Sequence, residues 1–100
     1  MTMSIAFILF AAASAQSCSP TMPGKVASVP TEQSAVSVAR VAWRGKFNET
    51  FIEEREPYRA ELVKGRWHVF GTLPPGWRGG TPEAVICASS GEVLQVFHSR

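Results

Sequence analysis

The fold turns on residues 58–70, YRAELVKGRWHVF. Tyr58, Ala60 and Leu62 alternate with Arg59 and Glu61, a period of two that belongs to a strand with one apolar face. Lys64 and Gly65 follow as a two-residue turn, and Arg66, Trp67, His68, Val69 and Phe70 continue as a second strand, so the segment reads as a β-hairpin. With two residues in the loop, Leu62 faces Trp67 and Ala60 faces Val69, whereas Glu61 faces His68 on the opposite side. The first set is expected to lie against a helix.

That helix is written upstream. Thr31 is a good N-cap, Glu32 stands in the first turn where the helix dipole favours a negative charge, and Pro30 precedes both. Ala35, Val38, Ala39, Ala42 and Trp43 recur at helical spacing, with Ser37, Arg40, Arg44 and Lys46 on the other side. Residues 31–44 therefore read as an amphipathic helix ended by Gly45. A short extended piece around Thr50 to Glu54 reads as an added edge strand.

Downstream, Ala84 to Ala88 and Val93 to His98 flank Ser89, Ser90 and Gly91, a second hairpin. A three-residue loop with Gly last sets Ile86 opposite Leu94 and Ala84 opposite Val96 as the core face. The other face carries Val85, Cys87, Val93, Gln95 and Phe97, more apolar than a solvated sheet face normally is. One helix followed by hairpin-linked strands specifies an α+β fold, an N-terminal helix packed on a curved antiparallel sheet of about four strands.

Ahead of the helix, Ile5 to Ala13 reads IAFILFAAA and ends at the small-residue site Ala13, Ser14, Ala15. That is the plan of a secretory signal peptide, and the run is too short for a membrane span of roughly 20 residues. Residues 16–30 hold Pro20, Pro23, Gly24 and Pro30, a linker composition. The expected division is a signal peptide over 1–15, a flexible linker over 16–30 and a single domain over 31–100. The product is expected in the periplasm or secreted, with no transmembrane segment after cleavage. In an oxidising compartment Cys18 has three states open to it, a bridge to Cys87, a lipid anchor or a free thiol, while Cys87 in its strand reads first as a small buried apolar residue.

Ten Lys and Arg against eight acidic residues leave a net charge of +2. Signs so evenly interspersed give no nucleic-acid footprint. All the acidic residues are Glu, and without Asp the usual calcium and magnesium ligand sets are missing, so neither metal nor cofactor is expected. His68 and His98 are the two histidines. No nucleophile, base and orienter converge on either, since Cys87 and His98 fall on opposite faces of the hairpin.

The longest irregular segment is GTLPPGWRGGTP, residues 71–82. It lacks the GK-Ser/Thr signature and the following helix of a phosphate cradle. Trp77 and Arg78 at its tip are residue types that anchor interfaces, and they are the first candidates for partner binding. Val85, Val93 and Phe97 on the apolar outer face are the second.

The string WHVFGTLPPGWRGGTPEAVICASSGEVLQVFHSR resembles bacterial immunity proteins with a nuclear-transport-factor-like, or cystatin-like, fold. The resemblance covers residues 34 to 100 and is carried by Gly71, Thr72, Leu73, Pro74, Gly79 and Gly80, with Gly91, Val93, Leu94 and His98 behind. It implies a non-enzymatic protein that binds and neutralises a toxin or enzyme, and it assigns no residue a role. A different class is a small-ligand or cell-wall binding module, its pocket between helix and sheet lined by Trp67, Tyr58 or Trp43.

Overall fold

The computed structural model describes residues 17–99; the expected leader, residues 1–15, lies outside them. Two helices, α1 (Glu32–Trp43) and α2 (Glu49–Glu53), precede four strands, β1 (Arg59–Val63), β2 (Arg66–Phe70), β3 (Pro82–Cys87) and β4 (Val93–His98). The strands form one antiparallel sheet in the order β1-β2-β3-β4, and α1 crosses one face of it. The fold class is the α+β arrangement expected, an open four-stranded antiparallel sheet against one principal helix.

Thr31 caps α1 as expected, in a reciprocal box: the Ser34 N–H donates to Thr31 Oγ1 at 3.1 Å and the Thr31 N–H to Ser34 Oγ at 2.9 Å. Ala35, Ala39 and Trp43, four residues apart, are fully buried. The two alanines let the helix sit close to the sheet, and the Trp43 indole N–H reaches the Glu83 carbonyl at 3.0 Å, so the ring is buried with its donor satisfied.

Residues 49–53 are helical where an edge strand was expected. Asn48 takes the Thr50 N–H at 2.7 Å, and Glu49 stands in the first turn, so a local cap outweighs the weak extended pattern.

The first hairpin has the expected register, Leu62 opposite Trp67 and Ala60 opposite Val69. Lys64 and Gly65 take φ of 53° and 79°, the pair of left-handed residues that matches strand twist. Trp67 is core, with its indole N–H on the Val29 carbonyl at 2.8 Å. Leu62, expected against the helix, is 53 % exposed. The first turn of α1 meets β1 at Arg59 and Ala60 through Glu32, so the helix stops short of the turn end of this hairpin.

The second hairpin is shifted near its turn. The Cys87 N–H donates to the Glu92 carbonyl and the Gly91 N–H to the Cys87 carbonyl, each at 2.8 Å, which places Ile86 opposite Val93. Leu94 is the extra residue of a bulge, and beyond it Ala84 pairs with Val96 as expected. Val93 is thereby turned onto the core it was expected to oppose.

The segment expected to be a flexible linker is fastened. Cys18 is bridged to Cys87, the Ser28 and Val29 N–H groups donate to the Ser89 and Ala88 carbonyls, and Val29 is 2 % exposed. With its sulfur in the bridge, Cys18 has no thiol left for a lipid. The pairing was legible only as an option, because a Pro- and Ser-rich composition says nothing about a single apolar residue packing beneath the sheet's end.

Candidate functional site

Loop 71–81 joins β2 to β3, and its two ends are held by one residue. The Thr72 N–H donates to the Arg55 carbonyl at 2.7 Å, and the Arg55 Nε–H donates to the Gly80 carbonyl at 2.8 Å. Thr72 Oγ1 reaches the Pro57 carbonyl at 2.8 Å and the Gly71 N–H reaches Thr81 Oγ1 at 3.1 Å. Gly71 is required by crowding: a Cβ there would lie 2.7 Å from Tyr58 Cε1 and 2.8 Å from the Arg55 carbonyl oxygen. The GTLP segment is thus a close approach of two backbones, and Tyr58, whose hydroxyl donates to the Ile52 carbonyl at 2.8 Å, is its floor.

Arg55 is 6 % exposed, and its guanidinium lies between two rings, Phe51 at 4.9 Å and Trp77 at 5.0 Å. Its Nη1 makes no hydrogen bond and has Glu54 Oε1 at 3.8 Å as its ion-pair partner. A weakly hydrated guanidinium tolerates that setting because ring faces supply part of the lost solvation. Sequence reasoning missed this sandwich, whose rings lie on either side of Arg55 in sequence and 26 residues apart; a lone Arg after a helix carries no signal for it.

Trp77 is therefore half a structural residue, one face on Arg55 and 46 % of its surface in solvent. Its N–H closes a turn on the Pro74 carbonyl at 3.0 Å, with Gly76 at φ 82°. Arg78 beside it is exposed. Of the first candidates for partner binding, Arg78 and one face of Trp77 are open to solvent.

At the same end of the sheet, the face away from α1 carries a row across three strands, Phe70, Glu83 and Phe97. The Glu83 carboxylate, 8 % exposed as a residue, is paired with His68 Nε2, and His68 packs against Phe70 at 5.5 Å and against Phe97 at 6.3 Å. Glu61 does face His68 in register, yet the carboxylate that reaches the ring comes from the other neighbouring strand. Val85 and Phe97 belong to this face, half-buried and exposed respectively; Val93 does not. The face offers flat aromatic and aliphatic surface around the paired Glu83 and His68. The bridge occupies Cys87, so the one cysteine near a histidine strand is no nucleophile.

The space expected between helix and sheet is filled at Trp43 and Trp67, whereas at Tyr58 an open cleft of about 460 Å³ remains between α1 and β1, lined by Glu32, Val36, Tyr58 and Arg59. Trp43 and Tyr58 pack ring to ring at 4.8 Å, Trp67 is buried with Val29, and all three belong to one core cluster. Among the described residues no group of histidines, cysteines and carboxylates is placed to hold a metal ion. No described helix is long and apolar enough to cross a membrane.

A sequence model for the family described as NTF2 fold immunity proteins matches residues 34–100. No curated protein and no solved structure matches the chain.

Proposed function

The chain belongs to the NTF2 fold immunity protein family, and on that premise we propose that it is a non-enzymatic inhibitor acting in the cell envelope, where it binds a protein toxin and blocks it. An immunity role in general follows from membership; the partner surface and the compartment are the proposal's own content. The observation that carries it is the braced loop: a buried arginine holds both ends of loop 71–81, and the tip presents Arg78 and one face of Trp77 beside the Phe70, Glu83 and Phe97 row. Rigid presentation lowers the ordering cost of binding, and aromatic and guanidinium groups are the commonest hot spots. The Cys18–Cys87 bridge and the apolar run Ile5 to Ala13 support a place outside the reducing cytoplasm.

The test is to look for a toxin gene beside this one, express its product in cells with and without this protein to measure protection, and titrate the purified pair in parallel. Wild type is expected to protect, and Arg78→Ala is expected to weaken binding roughly 30-fold, about 2 kcal/mol, with an unchanged melt. Failure of the wild type to bind removes the toxin reading. Unchanged affinity of Arg78→Ala with full protection moves the interface to Val85 and Phe97.

A further inference from the structure

The two edges of the sheet are treated differently. At β1 the outward N–H of Ala60 donates to Glu32 Oε2 at 2.9 Å, and Arg59 donates to the same oxygen at 2.8 Å. Those two bonds hold the Glu32 carboxyl below its ordinary range. A carboxylate planted on the backbone, with Arg59, Glu61 and Lys64 along and just beyond the strand, is how natural sheets stop a further strand from adding. β4 carries no described carboxylate on its backbone, and its one irregularity, the bulge at Leu94, lies on the turn side of Val96. Its sequence is VLQVFH, with no Lys, Arg, Glu or Pro.

The alternation of an antiparallel pair fixes which β4 groups face outward. The Ser99 N–H bonds inward to the Thr81 carbonyl at 3.0 Å, so in the register Pro82–His98, Glu83–Phe97, Ala84–Val96 the residues His98 and Val96 turn their N–H and C=O away from β3. Proline at position 82 agrees, since a non-bonded position asks nothing of its missing N–H. No described group receives the outward N–H of Val96 or of His98. Alongside, a groove of about 430 Å³ runs between Ala42 and Lys46 of the α1 end and Val93 to Val96 of β4, where the side chains of a fifth strand would lie.

The geometry points to β4 as a self-association edge: two copies pair β4 antiparallel about a two-fold axis through Val96, making one eight-stranded sheet. The occupant is a second copy because the strand is complementary to itself. An axis at Val96 sets that outward residue, the one nearest mid-strand, opposite its own copy, so both N–H and C=O groups are met across the axis. It sets Gln95 opposite Phe97 of the other copy and brings no two like charges face to face. Val96 of each copy enters the groove of the other. Strand pairing with one shallow groove is a small interface, so the dimer is expected to be weak and concentration-dependent.

Sedimentation of the oxidised protein, as recovered from expressing cells, is expected to show mass rising from one chain toward two as concentration increases to about millimolar, the weak end of affinities. Amide exchange of Val96 and His98 should slow over the same range while that of Ala60 does not change. Gln95→Lys with Phe97→Lys places like charges opposite one another and is expected to weaken association at least tenfold; Gln95→Lys with Phe97→Glu makes the pairs complementary and is expected to restore it. A wild type that stays a single chain, with Val96 and His98 exchanging at one rate throughout, overturns the proposal. So does a dimer that ignores both double variants, which would place the contact elsewhere.

Discussion

Reducing the Cys18–Cys87 bridge should cost this protein much of its stability. The bridge joins residues 69 apart, and on the chain-entropy model a ring that long restricts the unfolded chain by about 4 kcal/mol. A chain of this size is worth roughly 5–15 kcal/mol in total, so the loss ranges from about a quarter of the stability to most of it. At roughly 4–8 °C per kcal/mol it corresponds to a fall in Tm of about 15–30 °C. Urea unfolding followed by tryptophan fluorescence reports it cleanly, because Trp43 and Trp67 are buried at 0 % and 8 % exposure. Oxidised protein, reduced protein and Cys18→Ala/Cys87→Ala should fall into two groups, with the last two together. Since the constraint acts on the unfolded chain, the urea slope should also steepen once the bridge is gone. A difference below about 1 kcal/mol with an unchanged slope would refute the reasoning, and would mean that contacts of Val29 alone hold the strap.

Two further outcomes test the loop and its floor. Gly71→Ala should destabilise by about 1–3 kcal/mol, because the Arg55 carbonyl oxygen 2.8 Å from the new methyl is backbone and cannot swing aside, whereas Gly76→Ala, with open space around it, should cost only the roughly 1 kcal/mol of a left-handed φ; thermal melts of the two variants decide between crowding and backbone strain. Tyr58, the chain's single tyrosine, has its hydroxyl pushed up to about 12 by burial, so it favours the folded state below its ordinary value of 10.0 and that contribution is lost as pH rises toward 12. An ultraviolet titration that finds ionisation near 10 in the folded protein would contradict the buried floor under Gly71.

What the sequence made legible was whatever depends on spacing within a few residues. The cap at Thr31, the turn at Lys64 and Gly65, the register of the first hairpin and the buried Trp67 all follow from local rules, and all stand in the structure. The second hairpin shows the limit. One residue more in the closing turn moved Val93 inward, and with it a candidate interface residue, because the period of two flips every side chain on a single-residue slip. At positions 49–53 an asparagine cap outweighed a faint alternation in a segment too short for periodicity to decide. The Arg55 sandwich and the Glu83–His68 pair were out of reach for a different reason. Each needs the third dimension: Phe51 and Trp77 meet Arg55 only after loop 71–81 folds back, and Glu83 rather than Glu61 reaches His68 only because of side-chain direction across two strands.

The strap and the arginine divide the work of a domain with little core. Four of the buried apolar residues at the helix–sheet contact are alanine, Ala35, Ala39, Ala60 and Ala84, which brings α1 close but buries little area per residue. The covalent strap compensates at the Gly65 and Ala88 end of the sheet, where Leu62 and Val63 lie uncovered. At the opposite end no covalent link is present among the described residues, and Arg55 ties α2 to loop 71–81 through its carbonyl, its Nε–H and two ring faces. Its unsatisfied Nη1 costs stability that an apolar residue would not. A loop closed over such a group is fixed in place without being packed deeply, so its tip stays in solvent and in one shape. That combination supports the proposed recognition role, and under that proposal the partner surface lies at the Arg55 end and not at the disulfide end.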